Sequence, residues 1–183
     1  MRWRVQQGDI LDIDADVLIC SANVYLTLSG GVGGAFLLRY GLEMQAALER
    51  YLMDRNIRHV ESGDVVEMPP CGSPYRAVLH AVAVDGFYAS SGEVVGQVIS
   101  ASLQRAAALS VRTVALAGLA MGYGRLPVAE FAAGLGQVLK RCFPPVEEVV
   151  VCLRSAQDVE DLSALLPAVE VAVPGSTSRG VNC

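Results

Sequence analysis

Residues 77–84 read AVLHAVAV, eight positions of which only the histidine is polar. A strand with one wet face alternates apolar and polar residues; this segment does not alternate. It therefore reads as a central strand, covered on both faces. Shorter runs of the same kind recur at Val17–Cys20, Thr113–Ala117 and Glu148–Leu153, and Arg2–Gln7 and Asp64–Met68 read as further strands. Between them lie segments with helical periodicity. Leu37, Tyr40, Met44, Ala47, Leu48 and Tyr51 fall on one face of a first helix. Val95, Val98, Ile99, Ser102, Leu103 and Ala106 line a second, after a capping-box pattern at Ser90 and Glu93. Val128, Phe131, Ala132, Leu135, Val138, Leu139 and Cys142 stripe a third, stopped by Pro144-Pro145. Ser155 with Asp158 caps a fourth, bearing Val159, Leu162, Leu165 and Leu166.

Strands alternating with helices predict an α/β fold: a three-layer α/β/α sandwich around a mixed, mostly parallel central sheet. Residues 1–173 read as one domain, with Val169–Val173 as a last strand and 174–183 as a tail. The apolar content of 52% and charged content of 18% are those of a globular chain. No apolar run reaches the roughly 18 residues of a membrane span. The start, MRWRVQQGD, lacks the apolar core of a signal peptide, so the expectation is a cytoplasmic protein with no membrane partner. A net charge of −5 argues against a duplex nucleic-acid surface. The five cysteines form no CxxC pair, and with only two histidines no metal-ligand spacing emerges. Cys20 and Cys152 sit inside apolar runs and read as free core thiols; His80 reads as a satisfied core histidine.

Sheets of this class bind ligands beyond the carboxyl ends of their strands, where loops enter helices. Two such loops are rich in glycine. Residues 21–34 carry Gly30, Gly31, Gly33 and Gly34; residues 118–126 carry Gly118, Gly122 and Gly124, followed by Pro127. Glycines ahead of a helix expose backbone N–H groups, which with the helix dipole attract an anion. Such donors are invisible to formal net charge, so an acidic chain with a single lysine, Lys140, can still hold a phosphate. Each loop alone is also explained by tight turning. Neither matches G-x-G-x-x-G or GxxxxGK[ST], and it is their pairing in an α/β frame that suggests two linked phosphates.

The order GDI, DADVLICSAN, LSGGVGGAF, VLHAV and LAGLAMGYGRLP, from about Gly8 to Leu153, resembles the macrodomain family. Members of that family bind ADP-ribose and related metabolites, and some remove ADP-ribose from proteins. The resemblance implies that Asp9 accepts from the adenine amino group and that the Ile10 amide meets a ring nitrogen. It sets Asn23 against the distal ribose, and the backbone of Gly30, Gly31, Val32, Gly33 and Gly34 and of Ala120, Met121, Gly122, Tyr123 and Gly124 around the diphosphate. Tyr123 would cover the phosphates or the distal ribose, and Arg154 would pack on adenine. It implies ADP-ribose or a related nucleotide, free or protein-attached, as partner, and no cofactor; it sets no oligomeric state. The family's aspartate of one hydrolase branch is Gly33 here, and Lys140 is far from the other branch's nucleophile position. Ser21 replaces the first asparagine of NAAN, and Met121 replaces the phosphate-loop threonine, where it would narrow the pocket. The expectation is binding without catalysis. Two alternatives remain: a hydrolase using a non-standard base such as Asp85 or Glu93, and a scaffold acting through protein contacts.

Overall fold

The computed structural model describes residues 1–166. The strands are β1 (Arg2–Gln7), β2 (Val17–Ala22), β3 (Val65–Met68), β4 (Ala77–Val82), β5 (Thr113–Ala117) and β6 (Glu148–Leu153). The helices are α1 (Gly31–Tyr40), α2 (Glu43–Asp54), α3 (Gly92–Ala108), α4 (Val128–Leu139) and α5 (Ala156–Leu165), with a 3-10 turn at Ile10–Asp12. The expected strand at Val169–Val173 and the tail lie outside the described residues.

The sheet order is β1-β6-β5-β2-β4-β3. All neighbours pair in parallel except β3, which runs antiparallel to β4 at the edge. This is the mixed, mostly parallel sheet expected. Every residue of β4 is buried, as its unalternating sequence requires. Helix α3 packs on α4 and α4 on α5, forming one outer layer. The right-handed crossover rule puts α1 and α2 on the other face. The α3–α4 contact is close enough that a Cβ on Gly134 would meet the Gly92 carbonyl oxygen at 2.3 Å, so a side chain there would force the helices apart.

Several boundaries differ from the sequence expectation. The stripe from Leu37 to Tyr51 is not one helix. Gly41, at φ +85°, ends α1 after Tyr40, and α2 starts at Glu43. Helix α1 also begins earlier than its apolar stripe, at Gly31, so Gly31–Gly34 form its first turn instead of a preceding loop. The cap of α3 is Ser91, whose hydroxyl accepts from the Val94 amide at 3.3 Å, one residue after Ser90. Helix α4 ends at Leu139, leaving Cys142 exposed instead of in the stripe. Leu165 is half exposed, while Leu162 is buried as expected. Ser155 caps α5 as expected, accepting from the Asp158 amide at 3.2 Å.

At the amino-end edge of the sheet, Asp16 ties two strands together. Its Oδ2 accepts from the amides of Arg112 and Thr113 at 2.8 and 2.9 Å, and from the Thr113 hydroxyl at 3.1 Å. Burial works to raise the Asp16 pKa, but these hydrogen bonds prevail and lower it. In the core, His80 is 1% exposed. Its Nδ1 faces Cys20 Sγ at 3.4 Å and its Nε2 faces Met44 Sδ at 3.3 Å. Burial pushes its pKa down to about 4 and the Cys20 thiol up to about 12, so both stay neutral, as core residues.

Candidate nucleotide-binding cleft

A cleft of about 250 Å³ opens along the carboxyl ends of the strands. Its lining follows the strand order: Gly8 after β1, Leu153 and Arg154 at β6, Gly118 and Met121 after β5, Asn23 after β2, and Val84 after β4. Both glycine loops reach it. Gly30–Gly33 come from one side and Ala120–Gly124 from the other.

The donors can be counted. Gly30 precedes the first turn of α1, and the Gly34 amide is the first to bond back, to the Gly30 carbonyl at 3.0 Å. The amides of Gly31, Val32 and Gly33 therefore have no acceptor within the helix. In the second loop the Ala120 amide donates to the Ser21 hydroxyl at 3.2 Å, and the Met121 amide to the Gly118 carbonyl at 3.4 Å. Ala120, at φ +60°, is thus pinned to β2, and its N–H is already used. Among the described residues the amides of Gly122, Tyr123 and Gly124 have no intrachain acceptor. The cleft therefore offers two groups of main-chain donors, and Arg154 is the only basic side chain among its lining residues.

Tyr123 spans the two loops. A Cβ on Gly30 would meet its hydroxyl oxygen at 2.4 Å, so Gly30 must be bare for the ring to lie across it. Tyr123 also packs against Tyr88, with ring centroids 6.1 Å apart. Met121 turns aside: its sulfur lies 2.8 Å from where a Gly118 Cβ would stand, on the Leu153 side. It narrows the β5–β6 part of the cleft, beside Gly118 and Leu153.

The remaining expected residues fall as follows. Asn23 lines the cleft, but its side chain mostly holds its own loop. Oδ1 accepts from the Tyr25 and Thr27 amides at 3.0 and 3.2 Å, and Nδ2 donates to the Thr27 carbonyl at 3.0 Å. An amide side chain has two donors and two acceptor lone pairs, so Asn23 retains one N–H for a ligand and no acceptor. Ile10 lines the cleft; its carbonyl accepts from the buried Tyr75 hydroxyl at 3.1 Å. Asp9 lies beside the cleft and not in its lining. Its Oδ1 accepts from the Leu11 amide at 3.0 Å and its Oδ2 from Arg39 at 3.0 Å. Gly34 also stands back from the lining. Arg154 lines the β6 end with Asp158.

Ser21 and Leu28 belong to the first expected loop without having been named as site residues, and Tyr88, Cys152 and Asp158 come to the cleft from outside both loops. Leu28 matters most. A Cβ on Gly33 would meet Leu28 Cδ2 at 2.9 Å and Leu28 Cα at 3.2 Å. The space an acidic side chain would need there is filled by a buried leucine. Asp85 is not among the lining residues, and its Oδ1 accepts from the Phe87 and Ala89 amides at 2.9 and 2.8 Å. Glu93 lies on exposed α3 surface, accepting from Gln97. Lys140 follows α4, whose 12 residues run away from the cleft for about 18 Å. No group of metal-ligating side chains and no membrane-crossing helix occurs among the described residues.

Comparison with known proteins agrees with this geometry. The chain spans 45% of the length of an uncharacterized Mycobacterium bovis protein, about half, with 26% identity over 91% of this chain. It is 30% identical to an uncharacterized Saccharolobus solfataricus protein, covering 84% of this chain and 86% of that one. The Oceanobacillus iheyensis macrodomain solved with ADP superposes with a TM-score of 0.80, at 21% identity over 88% of this chain and 87% of that one. A variant of that macrodomain has been solved with ADPR. The family model of the macro domain matches residues 19–134. With both glycine loops inside that match, the chain belongs to the macro domain family.

Proposed function

We propose that this chain binds ADP-ribose or a closely related adenosine diphosphate nucleotide, free or attached to protein, and does not hydrolyse it. One observation carries the reading: unpaired amides of Gly31–Gly33 and of Gly122–Gly124 line a single cleft at a sheet edge. An anion on such donors forms charge-assisted bonds worth roughly 1.5–3 kcal/mol each, and the dipole of α1 adds to them. The base would lie toward Ile10 and Arg154, the diphosphate between the loops, and the distal ribose toward Asn23. ADP in a structural neighbour supports the ligand class.

The surroundings of Asn23 support the reading without catalysis. A water attacking the distal ribose needs an acceptor to take or orient its proton. Leu28 fills the place beside Gly33, Asn23 has no free acceptor, and Asp85 is not among the residues that line the cleft. Asp158 lines the cleft at the β6 end, away from Asn23. Calorimetric titration with ADP-ribose, ADP and AMP tests the binding: affinity should fall in that order. No heat and no thermal shift at millimolar ADP-ribose would overturn it.

A further inference from the structure

The cleft does not end at Asn23. Beyond β4, residues 85–89 form a turn locked by its own hydrogen bonds. Besides the two accepted by the Asp85 carboxylate, the Asp85 amide donates to the Ala89 carbonyl at 3.0 Å and the Tyr88 amide to the Asp85 carbonyl at 3.1 Å. Tyr88 sits at φ +64°, a left-handed conformation costly for a bulky residue. The turn holds Phe87 outward, 93% exposed, and Tyr88 against Tyr123. Tyr88 and Tyr123 both line the cleft, and Phe87 lies next in the chain, outside its lining. The loop thus adopts a strained form that presents aromatic rings to water at the mouth of a binding cleft. Core packing does not account for that.

The spacing says what would meet those rings. From β1 to β4 is four strand intervals, about 19 Å, room for two ring systems joined by a diphosphate. With a base at the β6 end and the diphosphate between the loops, the distal ribose reaches the β2–β4 end. A substituent on that ribose emerges beside Tyr88 and Tyr123, with Phe87 the preceding residue of the same turn. The turn carries a carboxylate and no basic residue, and Arg125 is not among the cleft-lining residues. Aromatic faces attract flat cations. We propose that this rim takes a flat cationic ring carried on the distal ribose of the bound nucleotide, as in an oxidised pyridine dinucleotide. The inference rests on the diphosphate-binding reading above.

The test is calorimetric titration of the wild-type chain and of Phe87→Ala with ADP-ribose, NAD+ and NADH. NAD+ carries a flat cationic ring; NADH carries an uncharged one. Wild type should bind NAD+ roughly three- to tenfold more tightly than ADP-ribose and than NADH. Phe87→Ala should remove most of that preference and leave ADP-ribose affinity unchanged. Binding of ADP-ribose with no preference for NAD+, or equal affinity for NAD+ and NADH, overturns the rim assignment and spares the diphosphate site. Loss of ADP-ribose affinity in Phe87→Ala also counts against it. Binding of none of the three removes both readings.

Discussion

Replacing Gly33 with aspartate introduces the residue type that the macrodomain resemblance links to one hydrolase branch, at a position where Leu28 leaves a side chain little room. The new Cβ would lie 2.9 Å from Leu28 Cδ2 and 3.2 Å from Leu28 Cβ and Cα. The first of these atoms is on a side chain, but the last is backbone, and Leu28 is buried at 5% exposure. Overpacking of this kind costs about 1–3 kcal/mol. Two terms oppose it: aspartate is a better helix residue than glycine by a few tenths of a kcal/mol, and a carboxylate in the first turn of a helix gains about 0.3–1 kcal/mol. The sign of the single substitution is therefore a near balance, but its coupling to Leu28 is not. Leu28→Ala removes Cδ2, the nearest clashing atom, and itself costs about 2–5 kcal/mol. A double-mutant cycle by urea unfolding should show Gly33→Asp more favourable in the Leu28→Ala background by about 1–2 kcal/mol. Additive energies, within about 0.3–0.5 kcal/mol, would refute the claim that Leu28 occupies this space. Gly33→Asp alone should also weaken ADP-ribose binding, since it brings a negative charge to the anion-binding turn, and should release no ADP-ribose from a modified protein.

Further outcomes are expected. His80 has a folded pKa near 4 against 6.5 unfolded, so below pH 6.5 the unfolded chain binds the proton that the folded chain refuses. Stability should be full above pH 6.5 and fall by about 3 kcal/mol on going to pH 4; urea unfolding across that window checks it, and His80→Leu should flatten the slope. Asp16→Ala should cost about 1–3 kcal/mol by orphaning the Arg112 and Thr113 amides, with unchanged nucleotide affinity, because it lies at the opposite edge of the sheet. Asn23→Ala releases the Tyr25 and Thr27 amides and removes the one N–H left for the ligand; calorimetry should show at least about a tenfold affinity loss, near the 1.4 kcal/mol of one good hydrogen bond.

The centre of the sheet was legible because β2, β4, β5 and β6 are buried on both faces, and an apolar run such as residues 77–82 admits few other readings. The break between α1 and α2 was not, because the apolar period from Leu37 to Tyr51 continues across Gly41 while the backbone does not. Glycine positions marked both arms of the cleft, yet how each glycine is used depends on a distant neighbour. Leu28 excludes a side chain at Gly33, Tyr123 lies on Gly30, and Ser21, 99 residues from Ala120, removes one amide from the donor set. Ser21 replaces a family asparagine, and its position in the sequence gave no sign that it would hold the second loop. Asp9 could be read as a base-recognition residue, but its pairing with Arg39 is set by the docking of α1 beside the first turn.

The direct test of the main-chain anion site is an amide-resolved titration by 15N–1H NMR with ADP-ribose. The amides of Gly31, Val32, Gly33, Gly122, Tyr123 and Gly124 should move downfield with a common saturation curve, while Ala120, held by Ser21, should move little. Saturation with those amides unmoved, or with shifts confined to side-chain signals of Arg154 and Asn23, would contradict the account.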